Sequence, residues 1–85
     1  MDAYALMLSE AAAMTFAGAS RAEQRRLAVI LDEVKAHPLR PGDMQERDAQ
    51  GRLNELLVAG DWVVTYWPDH TVRELRVIKL ESVEE

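Results

Sequence analysis

The sequence predicts an α+β domain ordered β-α-α-β-β-β, with two helices laid on one face of a small antiparallel-rich sheet. Three observations predict it. Ser20–Ala36 opens with helix-start chemistry and continues as an apolar stripe of helical period. Trp62–Trp67 and Val72–Leu80 are runs of strand-forming residues, separated by Pro68-Asp69-His70-Thr71. Between these regions, Leu39–Gly51 contains Pro41, Gly42, Asp43, Asp48 and Gly51 and has little periodicity.

Taken in order, Tyr4–Leu8 is a short apolar run, either a buried strand or the start of a helix; periodicity does not separate the two. Ser9 then offers an N-cap, and Glu10 follows where its charge favours the helix dipole. Ala12 and Phe16 share one face of this short helix, and Gly18 ends it. Ser20-Arg21-Ala22-Glu23 is a capping-box pattern. Leu27, Ile30, Leu31 and Val34 then repeat at i, i+3, i+4 and i+7, the spacing of one buried helix face. Pro38 stops the helix, because the residue before proline avoids helical geometry. Arg21–Ala36 is therefore predicted as a helix, with Arg25 and Arg26 on its solvated side. Leu39–Gly51 is predicted as a loop holding a short edge strand at Met44–Arg47. Leu53–Val58 and Trp62–Trp67 are strands around an Ala59-Gly60-Asp61 turn, and Ser82–Glu85 is a frayed acidic tail.

Composition narrows the function. The chain has 85 residues, the size of one domain spanning 1–85, small enough to gain from a partner. It has no cysteine, which removes disulfides, thiolate metal sites and cysteine nucleophiles and fits a reducing compartment. Acids outnumber bases 15 to 10, a net charge of −5, and the bases are scattered, so direct nucleic-acid binding is disfavoured. No apolar stretch reaches membrane-spanning length, and Met1–Ser9 carries Asp2 without a basic cluster, unlike a signal peptide. A cytoplasmic protein is expected. His37 and His70 stand far apart without supporting ligands, so no metal and no cofactor is expected.

The last hairpin sets the surfaces. With Asp69-His70 as the loop centre, Trp67 faces Val72, Thr65 faces Glu74 and Val63 faces Arg76, all on one side of the sheet. Trp62, Val64 and Tyr66, opposite Val77, Leu75 and Arg73, fall on the other, mostly apolar side that meets the helices. Trp62 and Tyr66 are then core residues, whereas Trp67 is a large apolar group on the open face. Arg76 is the one base predicted there, most simply as a neighbour of Glu74. His70 beside Asp69 reads as a turn residue, and His37 as a helix C-terminal residue.

The residues Leu53-Asn54-Glu55-Leu56-Leu57-Val58-Ala59-Gly60-Asp61-Trp62-Val63-Val64-Thr65-Tyr66, after a helix ending Ala36-His37-Pro38 and before Val72–Leu80, resemble the RelE/ParE toxin superfamily of bacterial toxin–antitoxin systems. That family carries a leucine, a small turn, then Gly-Asp-aromatic-Arg-apolar-apolar-Tyr on its central strands. Gly60-Asp61-Trp62-Val63-Val64-Thr65-Tyr66 is similar to that signature, with Val63 in place of the arginine. The resemblance covers nearly the whole chain. It implies the fold and a cognate antitoxin as partner.

The departures bear on chemistry. RelE-like ribonucleases carry lysines on the preceding strand, where Asn54, Glu55 and Leu56 stand here. They end with an arginine and often a tyrosine, where Ser82-Val83-Glu84-Glu85 stands here. Attack of a 2′-hydroxyl builds negative charge at phosphorus, and cations must stabilise it. A face of Val63, Thr65 and Glu74 does not supply them. The resemblance therefore implies a toxin-family protein acting by protein binding, as ParE-like members bind a topoisomerase without that catalytic set. The expected binding residues are Thr65, Trp67, Glu74 and Arg76. One alternative is a ribosome-dependent mRNA endoribonuclease with a rearranged basic site at Arg52, His70, Arg73 or Arg76. Another is a non-toxic degenerate homologue serving as a structural or homodimeric module.

Overall fold

Two capped helices carry the chain across one face of a five-stranded sheet. The computed structural model describes residues 3–83, so Met1, Asp2 and the Glu84-Glu85 end of the tail lie outside the described residues. Strand β1 (Ala5–Leu8) leads through Ser9 into α1 (Glu10–Gly18) and α2 (Arg21–Ala36); strands β2 (Met44–Arg47), β3 (Leu53–Ala59), β4 (Trp62–Asp69) and β5 (Glu74–Ser82) follow. The order β-α-α-β-β-β is present, with the edge strand β2 placed just ahead of the meander. The undecided run at Tyr4–Leu8 is a strand.

The sheet order is β1-β5-β4-β3-β2. The helices move the chain from one edge to the other, and the antiparallel meander returns it until β5 lies parallel to β1, with Leu6 opposite Leu75. No helix among the described residues is long and apolar enough to cross a membrane.

Local chemistry explains each helix. Ser9 Oγ accepts from the Ala12 N–H at 3.0 Å, and Ser20 Oγ accepts from the Glu23 N–H at 3.1 Å, so both caps satisfy an orphan donor. The capping box is only half made. Glu23 turns its carboxylate away from the Ser20 backbone, accepting from Trp62 Nε1 at 3.0 Å and Arg26 Nη1 at 2.8 Å. Its pKa is lowered, chiefly by the indole N–H and further by Arg26. Gly18 ends α1 without a left-handed residue, as Ala19 turns extended.

The predicted stripe forms the core. Leu27, Leu31 and Val34 of α2 and Ala12 of α1 are buried against Trp62, Val64, Tyr66, Leu75, Val77 and Leu80. Leu6, Leu8, Phe16, Ile30 and Leu57 pack at its margin. Each fully buried aliphatic side chain contributes roughly 1.5–3 kcal/mol. Val64 and Leu75 are 0% exposed, so the apolar side of the hairpin lies under the helices.

The hairpin register differs from the predicted one. Trp67 pairs with Arg76 and Asp69 with Glu74, because β4 runs on through Pro68 and the turn moves to 70–73. Pro68 is tolerated there because it lies beyond the Glu55–Tyr66 pair at which the β3 ladder ends. Trp67 thus meets Arg76 instead of Val72, an even displacement that leaves the faces of β4 unchanged. Past Tyr66 a β-bulge leaves Ile78 as the extra residue: Tyr66 pairs with Val77, but Thr65 pairs with Lys79 and Val63 with Glu81. Arg73, placed on the helix side by the predicted register, instead stands in the turn with a φ of 56°. The tail is also shorter than predicted. Glu81 and Ser82 extend β5, and the Val83 N–H bonds the Asp61 carbonyl at 2.6 Å.

Candidate functional site

The face turned away from the helices centres on Trp67. Arg52 lies over its ring, with Cζ 4.1 Å from the centroid, and Arg76 approaches it at 5.8 Å. Arg76 lies within ion-pair distance of two carboxylates, Glu74 (Nη2 to Oε1, 2.7 Å) and Asp69 (Nε to Oδ2, 3.5 Å), although neither Glu74 Oε1 nor Arg76 Nε has hydrogen-bond geometry. Arg52 lies 3.7 Å from Asp48. A tight turn aims it there. Asp48 Oδ1 accepts from the backbone N–H groups of Gln50 at 3.0 Å and Arg52 at 2.9 Å, and Gly51 supplies the φ of 83°. The Arg52 backbone N–H is the largest cause of the lowered Asp48 pKa. Asp48 also takes a long contact from buried Asn54 Nδ2 at 3.5 Å.

Beside Trp67 opens a cleft of about 470 Å³, lined by Met7, Ser9, Arg52, Trp67, Arg76 and Ile78 among others. The bulge shapes it. Ser9 Oγ donates to the Ile78 carbonyl at 2.6 Å, and the Ser9 N–H donates to the Val77 carbonyl at 2.9 Å. The backbone bond continues the parallel β1–β5 ladder, and the hydroxyl satisfies the carbonyl of the bulge residue Ile78 from the start of α1. A second groove of about 320 Å³ runs on the helix side between α2 and the β3–β4 turn, past Val29, Ile30 and Trp62.

The structure brings Trp67, Glu74 and Arg76 together, with Arg52 joining them. Thr65 lies on the same side but is 4% exposed. Central to the sheet between Leu56 and Lys79, it is covered by its neighbours' longer side chains. His70 stands apart. Its Nδ1 shares a hydrogen bond with the Tyr4 hydroxyl, and the rings meet edge to face at 5.6 Å, tying the hairpin tip to the chain before β1. Arg73 stands in the turn at 70–73. The expectation of a single base on the open face is corrected: Arg52 stacks there, and Lys79 faces it as the register partner of Thr65. Met7, Asp48, Asp69 and Ile78 were not among the candidates. Asp48 and Arg52 carry a visible signal, an acid and a base four apart across a glycine; Ile78 carries none, because alternation does not reveal a bulge.

No protein-family model and no curated protein matches the chain in sequence. Its fold is that of RelE toxins. The chain is similar over 99% of its length, and of the other's, to a chain of the archaeal RelE–RelB complex from Pyrococcus horikoshii OT3 (TM-score 0.72, 15% identity). It is similar to one in the RelBE2 toxin–antitoxin complex of Mycobacterium tuberculosis (TM-score 0.71, 15% identity, 95% of this chain and 99% of that one). A third similarity is to the intact E. coli RelBE toxin–antitoxin complex (TM-score 0.62, 19% identity, 98% of this chain and 100% of that one).

Proposed function

We propose that this protein is a toxin-family member that acts by binding protein through the open sheet face, with a cognate antitoxin as its partner in a bacterial cytoplasm. The observation that carries this reading is the condition of the cations around Trp67. Arg76 is engaged by Glu74 and Asp69, and Arg52 by Asp48. RNA cleavage requires cations free to turn toward a phosphate as its charge grows. Here two guanidiniums are set among three carboxylates, so a phosphate would have to displace an acid at each. Val63 stands between Val58 and Glu81 in the register and adds no cation. The similar solved structures are toxin–antitoxin complexes, which supports an antitoxin as the partner class.

Co-expression with the product of the adjacent gene tests the reading. The expected result is a stable complex, weakened by Trp67→Ala, with cellular mRNA left intact. Translated mRNA that is cut on expression, and spared by Arg76→Ala, would overturn it in favour of a ribonuclease. Absence of any complex in normally growing cells would leave the degenerate or homodimeric module.

A further inference from the structure

Resting on the reading of the open face as the binding surface, we infer that the segment it receives is cationic: an apolar stretch flanked by lysine or arginine. The pairing register gives the face its composition. Met7, Trp67, Leu56, Val63, Met44 and Val58 run across it, and of these Met7, Met44 and Val58 are each more than two-fifths exposed. Exposed apolar side chains therefore stand at both edges of this face, beside the cleft at Trp67. Among the described residues that the register and the ion pairs place around it stand five carboxylates, Glu46, Asp48, Asp69, Glu74 and Glu81, and three cations, Arg52, Arg76 and Lys79. Each cation lies within 4 Å of one of these acids. Glu46, at the β2 edge opposite Asn54, is exposed.

The uncompensated charge on the strands' open face is therefore negative, as is the charge of the chain, −5. A partner of the same sign would meet repulsion at encounter from this excess of acid. A cationic partner would not. Its lysine or arginine stems would lie on Met7, Leu56 and Val63, with the charged ends at Glu46 and at Glu81, which the partner would share with Lys79 at 3.8 Å. A second copy of this chain brings the same excess acid to the contact and is disfavoured on the same ground.

The test uses the 85-residue chain and two labelled synthetic peptides with the same leucine and tryptophan positions, one with lysine and one with glutamate at every other position. Fluorescence anisotropy should give the lysine peptide an affinity about tenfold or more above the glutamate peptide at low salt, shrinking as salt rises. Two double variants that change net charge equally separate site from bulk charge. Glu46→Lys with Glu81→Lys should remove the preference; Asp32→Lys with Glu33→Lys, on the outer side of α2, should leave most of it. Equal or tighter binding of the glutamate peptide, or equal loss in both double variants, would overturn the inference. So would failure of both peptides to bind while the co-expressed partner still docks through Trp67, an outcome that leaves the binding reading standing. Absence of both peptide binding and the co-expression complex would remove the two together.

Discussion

Leu75 and Arg76 are adjacent on β5 and face opposite ways, so one pair of substitutions tests the whole arrangement. Leu75 is 0% exposed, wedged between Leu6 of β1 and Pro68 of β4 and covered by the helices. Strands on both sides leave the site little room to collapse, so Leu75→Ala should cost about 3–5 kcal/mol, the upper part of the usual range. A chain of 85 residues commonly has only about 4–13 kcal/mol in total. The melting temperature should fall by about 15–30 °C. Arg76 is 43% exposed at its side chain, and its acidic partners about a quarter exposed. Exposed pairs are worth about 0–1 kcal/mol, and removing Arg76 also leaves Asp69 and Glu74 facing each other across the strands, so Arg76→Ala should cost about 1–2 kcal/mol. Urea midpoints followed by circular dichroism and tryptophan fluorescence would measure both. A loss under about 1 kcal/mol for Leu75→Ala, or above about 3 kcal/mol for Arg76→Ala, would refute the assignment of faces. The small expected effect also matters for function. A folded Arg76→Ala protein lets any change in partner binding or RNA cleavage be read as a change at the site.

Gly42→Ala should destabilise by about 1–3 kcal/mol in the same assay, because a Cβ there would lie 2.6 Å from the Leu56 carbonyl oxygen, a backbone atom that β3 holds in place. Ser9→Ala removes both the α1 cap and the hydroxyl on the Ile78 carbonyl, and should cost about 1–3 kcal/mol while loosening hydrogen-exchange protection at the β5 bulge. The pH dependence has a definite sign. The Glu23 and Asp48 carboxyls both sit below their ordinary values, Glu23 through the Trp62 indole and Asp48 through the Arg52 backbone N–H. Folding therefore favours their charged forms. Their contribution is complete above about 5, clear of the ordinary carboxyl values, and is withdrawn as pH falls through the lowered ones. Acid unfolding of Trp62→Phe should consequently show a shallower pH slope than the parent. Tyr66 shifts the other way, since burial and the Glu55 charge favour its neutral phenol. Stability should also drop as pH rises past about 10, and Tyr66→Phe should remove that loss.

The helices were fully legible in the sequence because helix signals are local. Ser9 and Ser20 cap within three residues, and Leu27, Leu31 and Val34 repeat within one element. The faces of β4 were legible for a similar reason: a strand alternates whatever it pairs with. Pairing itself was not. Pro68-Asp69 looks like a turn in isolation, yet Asp69 stays extended opposite Glu74, and Arg73 accepts a left-handed backbone to close the hairpin instead. The candidate site was legible in part. Trp67, Glu74 and Arg76 lie on the predicted side, but Arg52 joins them only because the Asp48 turn places it over the indole. Thr65 shows the remaining gap, since alternation assigns a side of the sheet but says nothing of what covers it.

The position of the cleft follows from one demand of the core. Val77 and Leu80 must both face the helices although two residues separate them, and only an extra residue in β5 reconciles that spacing with the alternation. The extra residue is Ile78, and its carbonyl, outside the regular pairing, needs a donor. Ser9 meets that need while it caps α1, so a single serine fixes the end of β1, the start of a helix and the bulge of β5. The cleft beside Trp67 opens over this junction, with Met7, Ser9 and Ile78 in its lining. Its shape therefore depends on packing on the opposite face of the sheet. Its character depends on the rim, where exposed acids such as Glu46 and Glu81 can change without disturbing a buried contact.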